Sequence, residues 1–193
     1  MGVLLITDTD LIKGSPLGGN ISLSKYRSVI EEIQIFNIEP ILGTKLYEKI
    51  KTDYDAETIT GLYNTILVNY VQPIIINMVV AEYVIISRLV MNNSGVHIRT
   101  PENLQPASES EVSSFASRFR AKAEVFEERL QRFLQDQISN IAEYTTNQDT
   151  DYDIKPDKDV NLYGGFYLPY DNDHMTSLEK EMWKDIYWDL GRR

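Results

Sequence analysis

Three aspartates stand at alternate positions in the run DTDYDIKPDKD, a spacing that could bind a metal ion. Asp149, Asp151 and Asp153 match alternate ligand positions of a calcium-binding loop. That loop also needs a glycine where this chain has Ile154, and a bidentate glutamate where it has Val160. Because both positions fail, we interpret the run as a solvated acidic linker.

Other catalytic patterns are also missing from the sequence. A carboxylate-bridged di-metal centre in a helical bundle needs Glu-x-x-His pairs, and the only histidines are His97 and His174, both outside the predicted helices. The glycine pairs in PLGGN and YGGFY lack the residues of a phosphate-binding loop. The chain has no cysteine, which excludes thiolate catalysis and disulfides and fits assembly in a reducing cytoplasm. We expect a protein that is not an enzyme and needs no metal or cofactor.

Basic residues on the long predicted helix suggest a nucleic-acid surface, but acidic residues are interleaved with them. The whole chain has 29 acidic and 19 basic residues and a net charge of -10, which opposes binding to phosphate backbones. We interpret this helix face as an ordinary mixed-charge surface, which could meet an acidic neighbouring subunit. The basic residues are Arg118, Arg120, Lys122, Arg129 and Arg132, and the acidic ones are Glu124, Glu127, Glu128 and Asp136.

The elements that must position any site are helical, because apolar residues recur at steps of three and four. This spacing predicts an all-α bundle of about four to five helices. Predicted starts or spans are a single turn over 8–13, a cap at Ser22 or Ser24, a start at Pro40, a start near Ala56, an apolar helix over 73–91 and a helix of about thirty residues from Ser110. Phe36 or Asn37 is expected on the inner face of its helix, and Gly43 is expected to interrupt the next one.

The apolar helix over 73–91 is long enough for most of a bilayer span. It contains Asn77, Glu82, Ser87 and Arg88, and charged groups near the centre of a bilayer are costly. We therefore predict a central core helix and no membrane association.

About twenty residues without a helix signal, MNNSGVHIRTPENLQPASESEV, separate the two longest helices. Ser94-Gly95 can end the apolar helix, and Ser108 to Glu111 can cap the long one. Between them, Val96, His97, Ile98, Arg99 and Thr100 alternate like a short exposed strand. A lone strand is unstable in a monomer, so we predict that it pairs with an adjacent subunit or a partner protein, and that charged residues at Val96 and Ile98 block assembly.

The last 52 residues differ in composition from the rest, which predicts a body over 1–141 and an extended arm over 142–193. The arm has 12 acidic and 6 basic residues, both tryptophans and six of the twelve tyrosines. SLEKEMWKDIYWDL can form a terminal helix. Dense aromatic residues are typical of interface hot spots. The residues expected to contact a partner are Tyr163, Phe166, Tyr167, Tyr170, Trp183 and Trp188.

Three runs of the body resemble the head-tail connector, or adaptor, proteins of tailed bacteriophages, especially those of crAss-like and related phages of Bacteroides hosts. The runs are IEEIQIFNIEPILGTKLYEKI, LYNTILVNYVQPIIINMVVAEYVI and FRAKAEVFEERLQRFL. The shared features are Ile-Gln before a helix break, Leu-Gly-x-x-Leu-Tyr, Tyr-x-x-Pro before the apolar helix, and Arg-Leu late in the long helix. The resemblance covers roughly residues 4 to 140 and has no catalytic signature.

This resemblance implies a structural virion protein at the head-tail interface, assembled in the host cytoplasm. Its members form a ring, commonly of twelve subunits, that binds beneath the portal protein and extends the DNA channel toward other tail or ring proteins. DNA then passes through the lumen without specific binding, which a negative net charge suits. Removing the residues after Ala142 is expected to leave a folded body that no longer joins the virion.

Two other interpretations stay open. A small acidic adaptor of another assembly would share the bundle and the arm. A metal-dependent helical-bundle enzyme would need ligands that the sequence patterns do not reveal. Rings seen by electron microscopy favour the connector, whereas tight stoichiometric metal without assembly favours the enzyme.

Overall fold

A computed structural model describes residues 2–17, 26–92, 95–98, 107–145 and 153–156. It confirms the predicted all-α class. The chain divides into two compact units, Met1–Val160 and Asn161–Arg193, and all described residues belong to the first. The elements of that unit are α1 (Asp8–Gly14), α2 (Arg27–Ile33), a first π turn (Gln34–Ile38), α3 (Glu39–Leu42), α4 (Thr44–Asp55), α5 (Gly61–Ile66), a second π turn (Leu67–Val71), α6 (Gln72–Ser87), β1 (Leu89–Asn92), β2 (Gly95–Ile98), α7 (Glu109–Asp136), a 3-10 turn (Ile138–Asn140) and α8 (Ala142–Thr145).

The two π turns have the same cause, because each ends two residues before a proline. Pro40 follows the first turn and Pro73 follows the second at the same spacing. A proline inside a helix cannot donate a backbone hydrogen bond, and its ring clashes with the carbonyl four residues earlier. The wider π turn lets the helix continue through the proline. In the first turn the Glu39 amide donates to Gln34 O, and in the second the Gln72 amide donates to Leu67 O.

Helix α6 is the centre of the core and packs along α7, α2 and α1. By length and composition alone, the continuous helix Gly61–Ser87 could also cross a membrane. Its buried residues belong to the core of the body, where Tyr70 stacks on Phe133 of α7 with ring centroids 5.0 Å apart. The buried α6 residues are Ile74, Ile75, Ile76, Val79, Val80 and Ala81.

The segment before α1 is held between the helices by side-chain amides. The amide nitrogen of Leu5 donates to Gln34 Oε1 at 2.8 Å, and Gln72 Nε2 donates to Leu5 O at 3.0 Å. Gln34 Nε2 also donates to Val3 O at 3.0 Å and to the Tyr47 hydroxyl at 3.3 Å. Gln34 is only 2% exposed, so this one side chain satisfies several polar groups inside the core.

Part of the segment that composition assigns to the arm packs on the body. Tyr144 of α8 is 1% exposed in the core, and Tyr63 donates its hydroxyl proton to Glu143 Oε2 at 2.6 Å. That hydrogen bond, with burial, raises the pKa of Tyr63 to about 12. The compact unit ends at Val160 and not at Ile141. Deletion after Ala142, which the sequence alone treats as harmless to the body, would therefore remove core material.

Residues 153–156 join the body at Gly43. The Thr44 amide donates to Ile154 O at 3.1 Å, and the Ile154 amide donates to Thr44 Oγ1 at 2.9 Å. Gly43 has φ +75° and ψ 155°, a conformation that is essentially restricted to glycine. A β-carbon built there would lie 2.7 Å from Pro156 Cδ, so Gly43 also makes room for the returning chain.

Replacing Gly43 by alanine is expected to lower the free energy of unfolding by about 3 kcal/mol, from backbone strain plus the clash with Pro156. Gly61→Ala is the matched control, because Gly61 also has positive φ (+56°) but a β-carbon there meets nothing within 4 Å. We expect the control to cost about 1 kcal/mol. Urea denaturation of both variants measures the difference, and equal losses would show that Pro156 does not press on Gly43.

Three sequence predictions need correction. The helix expected to be capped by Ser22 or Ser24 begins at Arg27, with Tyr26 at its N-cap position and no side-chain cap. The helix expected near Ala56 begins at Gly61, because Ala56 caps the end of α4 and Glu57 has φ 55°. The apolar helix ends at Ser87 and not near Gly95, since Leu89–Asn92 forms a strand. Two predicted boundaries are confirmed: Gly43 ends α3, and a Ser108/Glu111 capping box starts α7 one residue before the expected Ser110. Pro40 lies in the first turn of α3 as expected, but α3 continues directly from the first π turn.

Candidate interaction surface

The β-hairpin lies where the sequence predicts an assembly contact. β1 and β2 pair antiparallel, with Leu89 opposite Ile98 and Asn92 opposite Gly95. The predicted strand is therefore not alone, because its partner is the segment directly after α6 in the same chain. Within the described residues the sheet has two strands, so each has one edge without a strand partner. Two-stranded hairpins are only marginally stable by themselves, and open edges readily accept another strand.

Few of the predicted contact residues can be placed. His97 and Ile98 are exposed, with 53% of the Ile98 surface accessible. The backbone of Val96 pairs with Met91, but its side chain lies outside the described set. The remaining predicted contact residues also lie outside it, namely Arg99, Tyr163, Phe166, Tyr167, Tyr170, Trp183 and Trp188.

A groove of about 450 Å³ lies between one face of the hairpin, the end of α6 and the start of α7. Its Arg88 Nε is buried and has no hydrogen-bond partner among the described residues. Arg120, at the groove's edge, donates to Glu82 Oε1 at 2.8 Å. We call this site the hairpin groove; it is lined by Ile85, Arg88, Leu89, Ile98, Glu109, Val112, Ser113, Ala116 and Arg120.

A second exposed apolar group lies on the first π turn. Phe36 is 72% exposed and Ile35 is 48% exposed, whereas their neighbours Gln34 and Ile38 are buried. Of the two residues expected on the inner face, Phe36 is therefore wrong, whereas Asn37 is half-buried and bonds to Glu127 of α7. The π turn adds one residue to the turn, which changes the face that the following residues present. We call Ile35 and Phe36 the π-turn knob.

The π-turn knob and the hairpin groove lie beside different parts of α7. Asn37, next to the knob, donates from Nδ2 to Glu127 Oε1 at 3.3 Å. Burial raises the pKa of Glu127, and the bond from Asn37 acts in the opposite direction. Glu127 is eleven residues beyond Ala116 in the groove, which corresponds to roughly 16 Å along the helix axis. The two surfaces are therefore separate.

Four of the five basic residues of α7, all but Arg118, contact carboxylates or aromatic rings of the same chain. Arg132 pairs with Glu128 at 3.5 Å, Lys122 lies over the Phe119 ring at 4.3 Å, and Arg129 lies 5.6 Å from the Phe126 ring. Such exposed pairs contribute little to stability. They do not form a free cationic stripe.

The metal hypothesis gains no support from the described part of the chain. Asp149 and Asp151 of the calcium-like run lie outside it, and Asp153 is followed by the residues that pack on Gly43. No group of three or more histidine, cysteine, aspartate or glutamate residues in the described ranges could hold a metal ion.

Sequence reasoning missed the knob, Arg88 as a groove residue, and the buried hydrogen bonds of Gln34. The position of Pro40 could have revealed the knob, because a proline within a helical pattern requires a local adjustment. Nothing local distinguishes Gln34, whose partner Leu5 is 29 residues away.

The described residues thus define an all-α body that presents separate apolar surfaces and a β-hairpin. Residues 38–154 match the model of a family of unknown function (DUF6712), and the chain belongs to that family. No curated protein and no solved structure matches the chain.

Proposed function

We propose that this protein is a head-tail connector of a tailed bacteriophage. It forms a ring under the portal protein, joins the capsid to the tail and extends the DNA channel. One structural observation supports this proposal best: exposed apolar side chains lie both on the first π turn and around the hairpin groove, at separate places along α7. The resemblance of the body to connectors of crAss-like phages indicates which assembly this is, namely a ring beneath the portal, and implies twelve copies.

Two different surfaces are what a ring requires. Subunits related by rotation meet through heterologous contacts, in which one surface of a copy faces another surface of the next. The π-turn knob is one group. The other surface is the hairpin groove with its exposed Ile98 (53%), and the two helices that line it also expose Ile86 of α6 (36%) and Phe115 of α7 (37%). A twofold dimer needs only one self-complementary surface, so this arrangement favours a ring or a filament.

The hairpin supplies a further contact, either to the neighbouring copy or to the portal. Its open edges can add a strand from a partner, and its exposed Ile98 can be buried at the same time. The acidic aromatic arm supplies another contact with a neighbouring subunit or a tail-ring protein. The protein acts as a virion component at the head-tail interface, without catalysis, cofactor or membrane.

The charge of the chain suits a conduit for DNA. A net charge of -10 disfavours counterion release from phosphates, so DNA can pass along a lumen without being held. The arginine and lysine side chains of α7 that pair with carboxylates or rings leave little free cationic surface there.

Replacing Ile98 by glutamate is expected to weaken ring assembly on the portal by about tenfold or more, because a charge would enter an apolar contact. The measurement is the fraction of protein bound to purified portal, followed by size-exclusion chromatography and electron microscopy. Since Ile98 is exposed in the monomer, the thermal unfolding midpoint should stay within about 2 °C of the wild-type value.

Val125→Glu is the matched control, because Val125 is 55% exposed on α7 and lies outside both apolar groups. It introduces the same charge and should leave portal binding intact. If Ile98→Glu binds portal as the control does, the hairpin is not an assembly contact. If the wild-type chain neither binds portal nor forms rings with it, the connector proposal is wrong.

A further inference from the structure

The π-turn knob is held outward by a rigid feature of the fold. Buried Gln34 and Ile38 fix both ends of the first π turn, and Pro40 fixes where the turn ends. Phe36 therefore exposes 72% of its surface from well-packed helix and not from a loose loop. An aromatic ring presented in this way loses little conformational entropy on binding.

The hairpin groove has the features that such a ring needs. Its walls include the apolar side chains of Ile85, Leu89 and Val112, and Arg88 places a buried Nε without a partner among the described residues. A guanidinium group stacks favourably on an aromatic ring, and a volume of about 450 Å³ has room for the side chains of Phe36 and Ile35.

An exposed carboxylate lies beside the knob, and an arginine lies in the groove. Glu32 lies one helical turn before Phe36 and is exposed. The groove has two arginines and one glutamate among its lining residues, and Arg120 already pairs with Glu82 outside that lining. Docking of the knob would bring Glu32 toward Arg88, while Glu109 stays exposed at the first position of α7.

The knob cannot enter the groove of its own chain. Asn37 is fixed to Glu127, and Ser113 in the groove lies fourteen residues earlier on the same helix. At 1.5 Å per residue this separation is about 21 Å along α7. A knob that enters the groove must therefore come from another molecule.

We propose that Phe36 and Ile35 of one copy insert into the hairpin groove of the next copy. This contact deepens the proposed ring, on which it rests, by naming the two surfaces that meet. It is heterologous, so each copy offers one knob and one groove, and it can continue from copy to copy until the ring closes. The contact leaves the open edges of β1 and β2 available, because the groove lies against one face of the hairpin.

Cysteine crosslinking can test this contact directly, because the natural chain contains no cysteine. A tagged Ile35→Cys chain, which keeps Phe36, is mixed with a differently tagged Ser113→Cys chain and treated with a short bismaleimide. We expect crosslinks between the two chains at a yield about tenfold above a mixture of Ile35→Cys with Val125→Cys. Adding Phe36→Ser to the Ile35→Cys chain should reduce that yield to the control value. Both replaced side chains are exposed, so folding is expected to be unaffected.

Each other result overturns the inference. Yields at position 113 no higher than those at position 125 would show that the groove does not receive the knob. A yield that persists after Phe36→Ser would show that Phe36 does not make the contact. Predominant crosslinks between two Ile35→Cys chains would show a twofold contact instead. Portal binding is measured separately with uncrosslinked wild-type protein. If that protein forms rings on the portal but Ile35→Cys and Ser113→Cys do not crosslink, this contact alone is refuted. If the wild-type protein does not bind the portal, the connector proposal is refuted.

Discussion

A chain that ends at Val160 is expected to fold like the full-length protein but to fail to join the portal. Residues 161–193 contain both tryptophans and four of the tyrosines. They form the second compact unit, so their removal should leave the core of the first intact. If the aromatic arm supplies a necessary contact, portal binding should fall by at least about a hundredfold, as expected when several hot-spot residues are lost.

A chain that ends at Ile141 is the informative comparison. It also loses Tyr144, the bond from Tyr63 to Glu143, and the pairing of Ile154 with Thr44. Removing a large buried aromatic side chain alone costs about 3–5 kcal/mol. We therefore expect the shorter chain to unfold at clearly lower urea concentration, and its failure to bind portal would say nothing about the arm.

Urea denaturation followed by circular dichroism separates the two effects. The Val160 chain should have the same midpoint as the full-length protein, and the Ile141 chain should not. If the Val160 chain is stable and still binds portal as strongly as the full-length protein, the arm is not a contact and the hypothesis is wrong. Equal stability of all three chains would instead show that Tyr144 contributes little to the core.

Sequence patterns predicted the parts of this fold that local chemistry determines. Ser108 and Glu111 form the expected capping box because a serine followed three residues later by glutamate satisfies the first free amides of a helix. Backbone bonding to Ser108 lowers the pKa of Glu111, as its acceptor role requires. The break at Gly43 likewise follows from a conformation that other residues avoid.

Predictions failed where two structures fit the same local pattern. Leu89, Val90 and Met91 continue the apolar run of α6, and periodicity over so few residues cannot separate the end of a helix from a short strand. The exposure of Phe36 depends on one extra residue in a helical turn, which moves a side chain to another face without changing composition. The hairpin groove could not be predicted either. Its walls come from residues before and after the long connection between α6 and α7, and only the fold brings them together.

The position of residues 2–7 could not be predicted from the sequence for a different reason. No local pattern indicates that Leu5 is fully buried, since its position depends on two glutamines far along the chain. The glutamine of the Ile-Gln pair before the first π turn, noted in the resemblance to connectors, is Gln34 itself. Its buried hydrogen bonds give that pair a physical role in the body.

Replacing Gln34 by leucine is expected to lower the free energy of unfolding by about 3 kcal/mol. The variant removes the acceptor for the Leu5 amide and the donor to Val3 O, and leaves both groups near the core without their partner. An unsatisfied buried polar group costs about 1–3 kcal/mol. For a chain of this size, the loss corresponds to a decrease of roughly 6–12 °C in the unfolding midpoint.

Gln72→Leu provides the matched control, because Gln72 binds the carbonyl of the same residue but through a single bond of 3.0 Å. It should cost about 1 kcal/mol. Hydrogen exchange should show faster exchange of the Leu5 amide in Gln34→Leu than in Gln72→Leu, because only the former removes the acceptor for that amide. Equal exchange rates and equal midpoints for the two variants would mean that Gln34 does not hold the amino-terminal segment. The first π turn begins at Gln34, so Gln34→Leu should also loosen the base of the π-turn knob and weaken portal binding. Gln72→Leu should leave the knob in place.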